Sequence, residues 1–391
     1  MFTNIIVLKY CRFFILTLLL AGLGPKDSSA QFVEEVLDLL TVYPNKKAVA
    51  RDSTIYPAKA IITPVVTFAP ETNLSFGGGI KGLFKMRGSG PETRTSNIPL
   101  TVQYTIENKH LFYSRYEVFF PQEKYMLSGS VNVQSFPSLY YGVGQDTPST
   151  NEEEFNYSQL LIEPLLLKNV FKKYLFFGGG IRYNRIFKIE PEADGLLDTS
   201  ELPGSSGSNS LGLELALIYD SRDNILNANE GIFLSLTHGF YRDSFGSTQD
   251  FQLTKLDFRY YIQPLKKSSS TLGFQFIANL SFGNPPLLEL ARLGGSQINR
   301  GYFNGRFVDN HLVATQVEWR QKINYRWGFV GFTGVGAVAP SIDGFNTETI
   351  RPSIGIGLRF LVDAKENLNL RLDYGSGNEK RSFYFSIAES F

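Results

Sequence analysis

The chain has 391 residues, and 38 Lys and Arg against 37 Asp and Glu leave a formal net charge of +1. That balance excludes a basic nucleic-acid face and a disordered acidic tail. Aromatic residues reach 14%, with Phe 33 and Tyr 20 against Trp 2, and Gly is plentiful at 36. Strands favour aromatic residues, although a secreted soluble sandwich would share much of this profile.

In chain order, the first element reads as a secretory signal peptide over 1–30. Lys9 and Arg12 are its positive part, Phe13 to Leu23 its apolar part, and Ser28-Ser29-Ala30 a small-residue cleavage site before Gln31. A membrane-anchoring helix fits less well, because the apolar run is about eleven residues where a span needs about twenty. Cys11, the only cysteine, falls in this segment, so the mature chain is expected to carry no disulfide and no cysteine-based metal site. Residues 31–57 place Phe32, Val33, Val36, Leu37 and Leu40 in an amphipathic pattern that predicts a short periplasmic helix or plug.

From residue 58 onward the recurring signal is alternation. Leu211, Leu213, Leu215, Leu217 and Tyr219 alternate with Gly212, Glu214, Ala216 and Asp220; Leu368, Leu370, Leu372 and Tyr374 alternate with Asn367, Asn369, Arg371 and Asp373. Side chains on a strand point to opposite faces with period two, so each segment has one apolar and one polar face. The segments run about ten to fifteen residues, where globular strands average five or six. Their polar phase carries charges and glycines (Lys255, Asp257, Arg259; Gly178, Gly180, Arg182), and their apolar phase ends in aromatics such as Trp327 and Tyr374. These features predict a transmembrane antiparallel up-and-down β-barrel of about sixteen strands over 58–391, lumen polar and outer face apolar. The strands are placed near 58–68, 73–87, 96–107, 109–120, 123–136, 153–167, 171–187 and 209–221, then 230–243, 249–265, 269–283, 311–324, 326–339, 351–363, 366–375 and 380–391. With the N-terminus in the periplasm, turns such as Pro121-Gln122, Lys266-Lys267 and Asn324-Tyr325 are periplasmic and short, and 188–208, 284–310 and 340–350 are long extracellular loops. Phe391 ends the last alternation after Phe383, Phe385 and Ile387, as in many outer-membrane barrels.

The loop 284–310, about 27 residues, is long enough to suggest function. It contains Leu293-Gly294-Gly295-Ser296, Asn299-Arg300-Gly301-Tyr302 and Gly305-Arg306-Phe307. Arg300-Gly301-Tyr302 resembles the R-G-[FY] tip of the sixth extracellular loop in the BamA/TamA family of outer-membrane assembly and translocation proteins, the bacterial surface antigen family, and it falls between the eleventh and twelfth strands as there. Other stretches resemble the family in order: Pro70-Glu71-Thr72, Asp220-Ser221-Arg222-Asp223-Asn224 with Glu230-Gly231, Glu318-Trp319-Arg320, residues 355–360, and Arg371-Leu372-Asp373-Tyr374-Gly375.

The resemblance implies that the loop folds into the lumen, where its arginine grips acidic residues of the wall. An unpaired charge away from bulk water is costly. Alternation puts Gln316, Glu318 and Arg320 on the lumen face, so Glu318 is the expected main anchor of Arg300 and Asp373 a helper. The family's F-x-D-x-G pattern on strand 13 reads here Phe332-Thr333-Gly334-Val335-Gly336, with glycine at the acidic position. Arg300 as a loop pin with no transport role stands as an equal alternative. The family's periplasmic POTRA domains are not accommodated by the about 27 residues that precede strand 1, fewer than a folded domain requires. Pro64, which cannot donate a ladder bond, and Phe391 mark the expected seam between first and last strands. That seam reads either as a lateral gate or as a barrel edge tolerating a proline.

His110, His238 and His311 sit on separate segments without metal-ligand spacing, and no G-x-S-x-G elbow accompanies them. No enzyme, cofactor or metal is expected. The expected function is assistance in inserting or translocating proteins or lipids at a Gram-negative outer membrane, with a passive or gated channel closed by the loop as the alternative. Outer-membrane lipids, client barrel proteins and a separate periplasmic protein are the expected partners.

Overall fold

The computed structural model describes residues 41–46, 49, 56–70, 73–106, 109–171, 174–264, 269–364, 367–378 and 380–391. The signal segment, the apolar positions of 31–40, Glu71-Thr72 and the Lys266-Lys267 turn lie outside them.

Sixteen antiparallel strands close into one barrel. They are β1 (Lys59–Ala69), β2 (Asn73–Phe84), β3 (Ser96–Thr105), β4 (His110–Phe119), β5 (Tyr125–Tyr140) and β6 (Glu153–Phe171). β7 (Leu175–Glu190), β8 (Ser208–Asp220), β9 (Gly231–Tyr241), β10 (Phe251–Ile262) and β11 (Ser270–Gly283) follow. β12 (His311–Lys322), β13 (Trp327–Ala339), β14 (Arg351–Asp363), β15 (Leu368–Ser376) and β16 (Arg381–Ile387) complete the wall. Each strand pairs with its sequence neighbours, and β16 returns to β1.

Alternation decides which way each side chain faces. On β8, Leu213 and Leu215 are exposed on the outer wall while Glu214 between them is buried inside. On β14, Ile354, Ile356 and Leu358 face out, and Ser353 and Arg359 are buried. An outer wall of leucine, isoleucine and aromatic side chains suits hydrocarbon, and closure leaves the strands with few free backbone groups, as a membrane requires.

The end carrying residues 41–46, 56–58 and 388–391 is the one expected to face the periplasm. Two of its turns are longer than the others, and each is built by side chains bonding to backbone. In 221–230, Asp223 Oδ1 accepts from the backbone N–H of Asn229 at 2.8 Å and of Glu230 at 3.2 Å. Asn224 Oδ1 accepts from Leu226 and Asn227 at 2.7 and 2.9 Å. Arg222 forks onto Asp220 with two 2.9 Å bonds and lies over the Phe233 ring. The D-S-R-D-N stretch is therefore a turn builder. In 85–95, the Arg94 backbone N–H reaches Glu123 Oε1 at 2.7 Å and its guanidinium the other oxygen at 3.0 Å, tying this turn to the next.

The seam is the weakest junction of the wall. Among the described residues β16 meets β1 at a single register pair, Phe385 with Phe68, whereas β15 and β16 pair over positions 370–376. Because β2 occupies the other edge of β1 throughout, the short strand Thr41–Val42 lies on the seam side, pairing with Ile61 and Ala60. Positions 62–67, Pro64 among them, have no register partner there among the described residues.

Candidate functional site

The loop between β11 and β12 turns into the lumen. A small hairpin, Ala291–Leu293 with Phe307–Asp309, forms its stem, and Ala291, Leu293, Ile298, Tyr302 and Phe307 pack with Leu312, Ala314 and Val338 of the wall. Leu287 N–H bonds to Pro203 O of the β7–β8 loop at 2.8 Å. Arg306 bonds to Thr147 of the β5–β6 loop through its carbonyl at 2.8 Å and its hydroxyl at 3.0 Å. Lys380 of the β15–β16 loop pairs with Glu152 at the end of the same β5–β6 loop. The loop is thus pinned at its base by other loops and at its tip by the wall.

At the tip, Arg300 is fully buried. Its guanidinium spans two carboxylates: Nη2 contacts Glu318 of β12, and Nη1 donates to Asp373 of β15 at 2.5 Å. The Phe332 ring of β13 lies 3.5 Å beneath it, a cation–π contact. Asp373 is therefore a full partner of the clamp, on a par with Glu318. The glycine at the acidic position of β13 has a local explanation. A Cβ on Gly334 would stand 3.0 Å from Gln316 Cβ, and Gln316 itself reaches Arg300 at 3.5 Å. Asp373, two strands away, supplies the second charge.

Gly301 and Gly375 allow the close approach. Gly301 has φ +118°, and a Cβ there would meet Gly377 N at 2.5 Å; a Cβ on Gly375 would meet Arg300 O at 2.6 Å. Tyr302 OH donates to Pro352 O at 2.9 Å and accepts from Asn378 N at 3.1 Å. Gly301 N–H donates to Tyr384 OH of β16 at 3.0 Å. Tyr384 belongs to no motif of the loop or strands, and its place in the polar phase of β16, between Ser382 and Ser386, is the one sequence signal that marks it.

Phe391 does not lie at the seam. Regular strand ends at Ile387, and Ala388 adopts a left-handed φ of +71°, turning residues 389–391 into the lumen. Glu389 accepts from Arg359 Nε at 2.6 Å and from Asn369 at 2.8 Å. Ser390 Oγ donates to Glu318 at 2.8 Å, and Arg320 donates to Phe391 O at 2.9 Å. The Phe391 ring stacks on Tyr261 of β10 at 6.0 Å, inside the barrel. Buried guanidinium groups on the wall demand acceptors, and the tail supplies them. Arg320 also pairs with Glu318 at 2.9 Å, and Arg359 with Asp373 at 2.5 Å. Loop tip and tail therefore share Glu318 directly, and are linked at Asp373 through Arg359.

The histidines lie apart, on β4, β9 and β12. His238 Nδ1 is 2.8 Å from Thr254 Oγ1 and its ring meets Phe240 edge-on; His311 packs beside Phe282.

A transmembrane barrel whose lumen is crossed by an arginine-tipped loop between its eleventh and twelfth strands defines the class. Residues 94–391 match the Omp85 superfamily domain, and the chain belongs to that superfamily as a barrel of the BamA/TamA type. The fold is similar to that of BamA from Haemophilus ducreyi lacking POTRA domains 1–3, at 13% identity and TM-score 0.55 over 84% of this chain and 70% of that one. It is also similar to CdiB from Acinetobacter baumannii, at 12% identity and TM-score 0.54 over 85% of this chain and 65% of that one. CdiB from Escherichia coli matches at 12% identity and TM-score 0.54, over 84% of this chain and 62% of that one. The chain thus spans less than two thirds of either CdiB. No curated protein matches the sequence.

Proposed function

We propose that this barrel is a noncatalytic outer-membrane device that assists the insertion or translocation of polypeptides or lipids, acting with client proteins and a separate periplasmic protein. The observation that carries the reading is the Arg300 clamp. It ties the extracellular loop to β12 and β15, and through Tyr384 to the seam strand itself, beside a junction held by one register pair. A wall that is firm on one side of β16 and weak on the other can part at the weak side while the loop keeps the rest in place. Signal-peptide export to a Gram-negative outer membrane belongs to the same proposal.

A gated channel is the second reading, favoured by the same loop lying across the lumen. One experiment separates them. Photo-crosslinkers at Ile62 of β1 and Phe383 of β16, both exposed on the outer wall, are expected to give adducts with exported polypeptides in cells. Crosslinks only between the two strands, together with conductance steps that appear in planar bilayers when Arg300 is replaced by Ala, would move the channel ahead.

A further inference from the structure

The clamp and the tail leave one group of cations incompletely served. At the periplasmic end a cavity of about 70 Å³ lies among the ends of β11–β15 and the 221–230 turn. Arg320, Lys322, Arg326 and Arg359 line it, and Glu389 is the one acid among its described lining residues. Glu318 is shared between Arg300 and Arg320, and Asp373 between Arg300 and Arg359, so neither carboxylate neutralises the cavity's cations fully. Arg320 and Arg359 are 7% and 4% exposed, and Arg320 Nη1 and Arg359 Nη2 are buried without a hydrogen-bond partner. Buried guanidinium N–H groups left unpaired are costly, and an oxyanion satisfies them most fully.

We propose that this cavity is a binding site for a phosphate group entering from the periplasmic face, with the Glu389 carboxylate as the chain's own occupant of part of it. A phosphate suits the lining better than a second carboxylate. Its three or more acceptor oxygens can take two guanidinium forks at once, and Lys322 adds a point charge. Asn229 and Asn369, also in the lining, offer amide donors at its edge. Binding competes with Glu389 for Arg359. Occupancy therefore loosens the tail, and with it the periplasmic end of β16.

Trp327 lines the cavity, and the other tryptophan, Trp319, faces outward at 49% exposure. Full-length protein carrying Trp319→Phe, in detergent micelles, makes Trp327 the sole reporter. Sodium phosphate, titrated at constant ionic strength against sodium chloride, is expected to change its emission saturably with a Kd of about 1 mM or tighter. Lys322→Gln with Arg326→Gln should weaken binding about tenfold or more, and Glu389→Gln should tighten it about tenfold by removing the internal competitor. Unchanged heat-modifiable gel migration certifies the fold of each variant. A flat or linear response, an equal response to chloride, or variants that titrate like their parent would overturn the proposal. A short-chain phosphatidic acid binding about tenfold more tightly than phosphate assigns a lipid headgroup as the source, and equal affinity assigns the free anion.

Discussion

At the scale of single residues, Arg300 shows why a charge can be withdrawn from water inside a membrane barrel. Two carboxylates and an aromatic face surround it, and each carboxylate has a second guanidinium of its own. Such a network tolerates no partial removal, because deleting one member strands another. Arg300→Ala is expected to cost about 3–5 kcal/mol, the usual consequence of breaking a buried pair, and to free the loop tip. Arg300→Lys should recover only part, since one ammonium cannot fork onto Glu318 and Asp373 together. Urea unfolding followed by gel migration measures both. A double-mutant cycle of Glu318→Gln with Asp373→Asn should show coupling of about 1 kcal/mol or more; strict additivity would mean that the two carboxylates act independently.

Among the elements, the inward loop is held by chemistry at its base as well as its tip. Glu289 accepts from Arg182 of β7 at 2.9 Å and from Asn184 at 2.7 Å, deep beneath the extracellular loops. Burial pushes its carboxyl up, but the Arg182 charge and the hydrogen bonds from Arg182 and Asn184 more than offset this and hold it below the ordinary value. A depressed folded-state value means a stabilising contribution that is complete above the unfolded value. It is lost as pH falls below the unfolded value, about 4.3 for a glutamate, and through the folded one. A fluorophore on Asn284→Cys should therefore gain mobility on acidification, read as falling anisotropy. In Glu289→Gln that mobility should already be present at neutral pH, with little further change. The tail is the counterpart at the other end: a left-handed turn at Ala388 converts the continuation of a strand into a lumenal plug.

The whole molecule divides into a well-paired wall and one poorly paired seam. Phe68 and Phe385 are opposite each other there, and paired residues of antiparallel strands stand about 4.5–5.5 Å apart at Cα, within disulfide range. Phe68→Cys with Phe385→Cys should oxidise to a crosslinked barrel. If the seam must part for client handling, the oxidised form loses insertion activity in reconstituted vesicles and regains it on reduction. Equal activity in both forms would place the working surface elsewhere. Thr41–Val42 covers two further positions of the β1 edge, so this short strand belongs to the seam.

Strand number, faces and the lumenal set Gln316, Glu318, Arg320, Arg371 and Asp373 were legible in the sequence, because a period of two is a local property that each strand declares by itself. The arginine loop was legible too, through a short motif at a set place between two countable strands. Other features were not. Asp373 was read only as a helper, and its equal share with Glu318 in holding Arg300, across 73 positions of chain, exists only once the barrel has closed. The displacement of Phe391 from the wall was equally hidden. Its alternation with Phe383, Phe385 and Ile387 continues past the point where the strand stops. Local patterning determines which face a residue prefers. The tertiary structure decides which buried cation lacks an acceptor, and that need, met by Glu389, Ser390 and the Phe391 carbonyl, draws the tail inside.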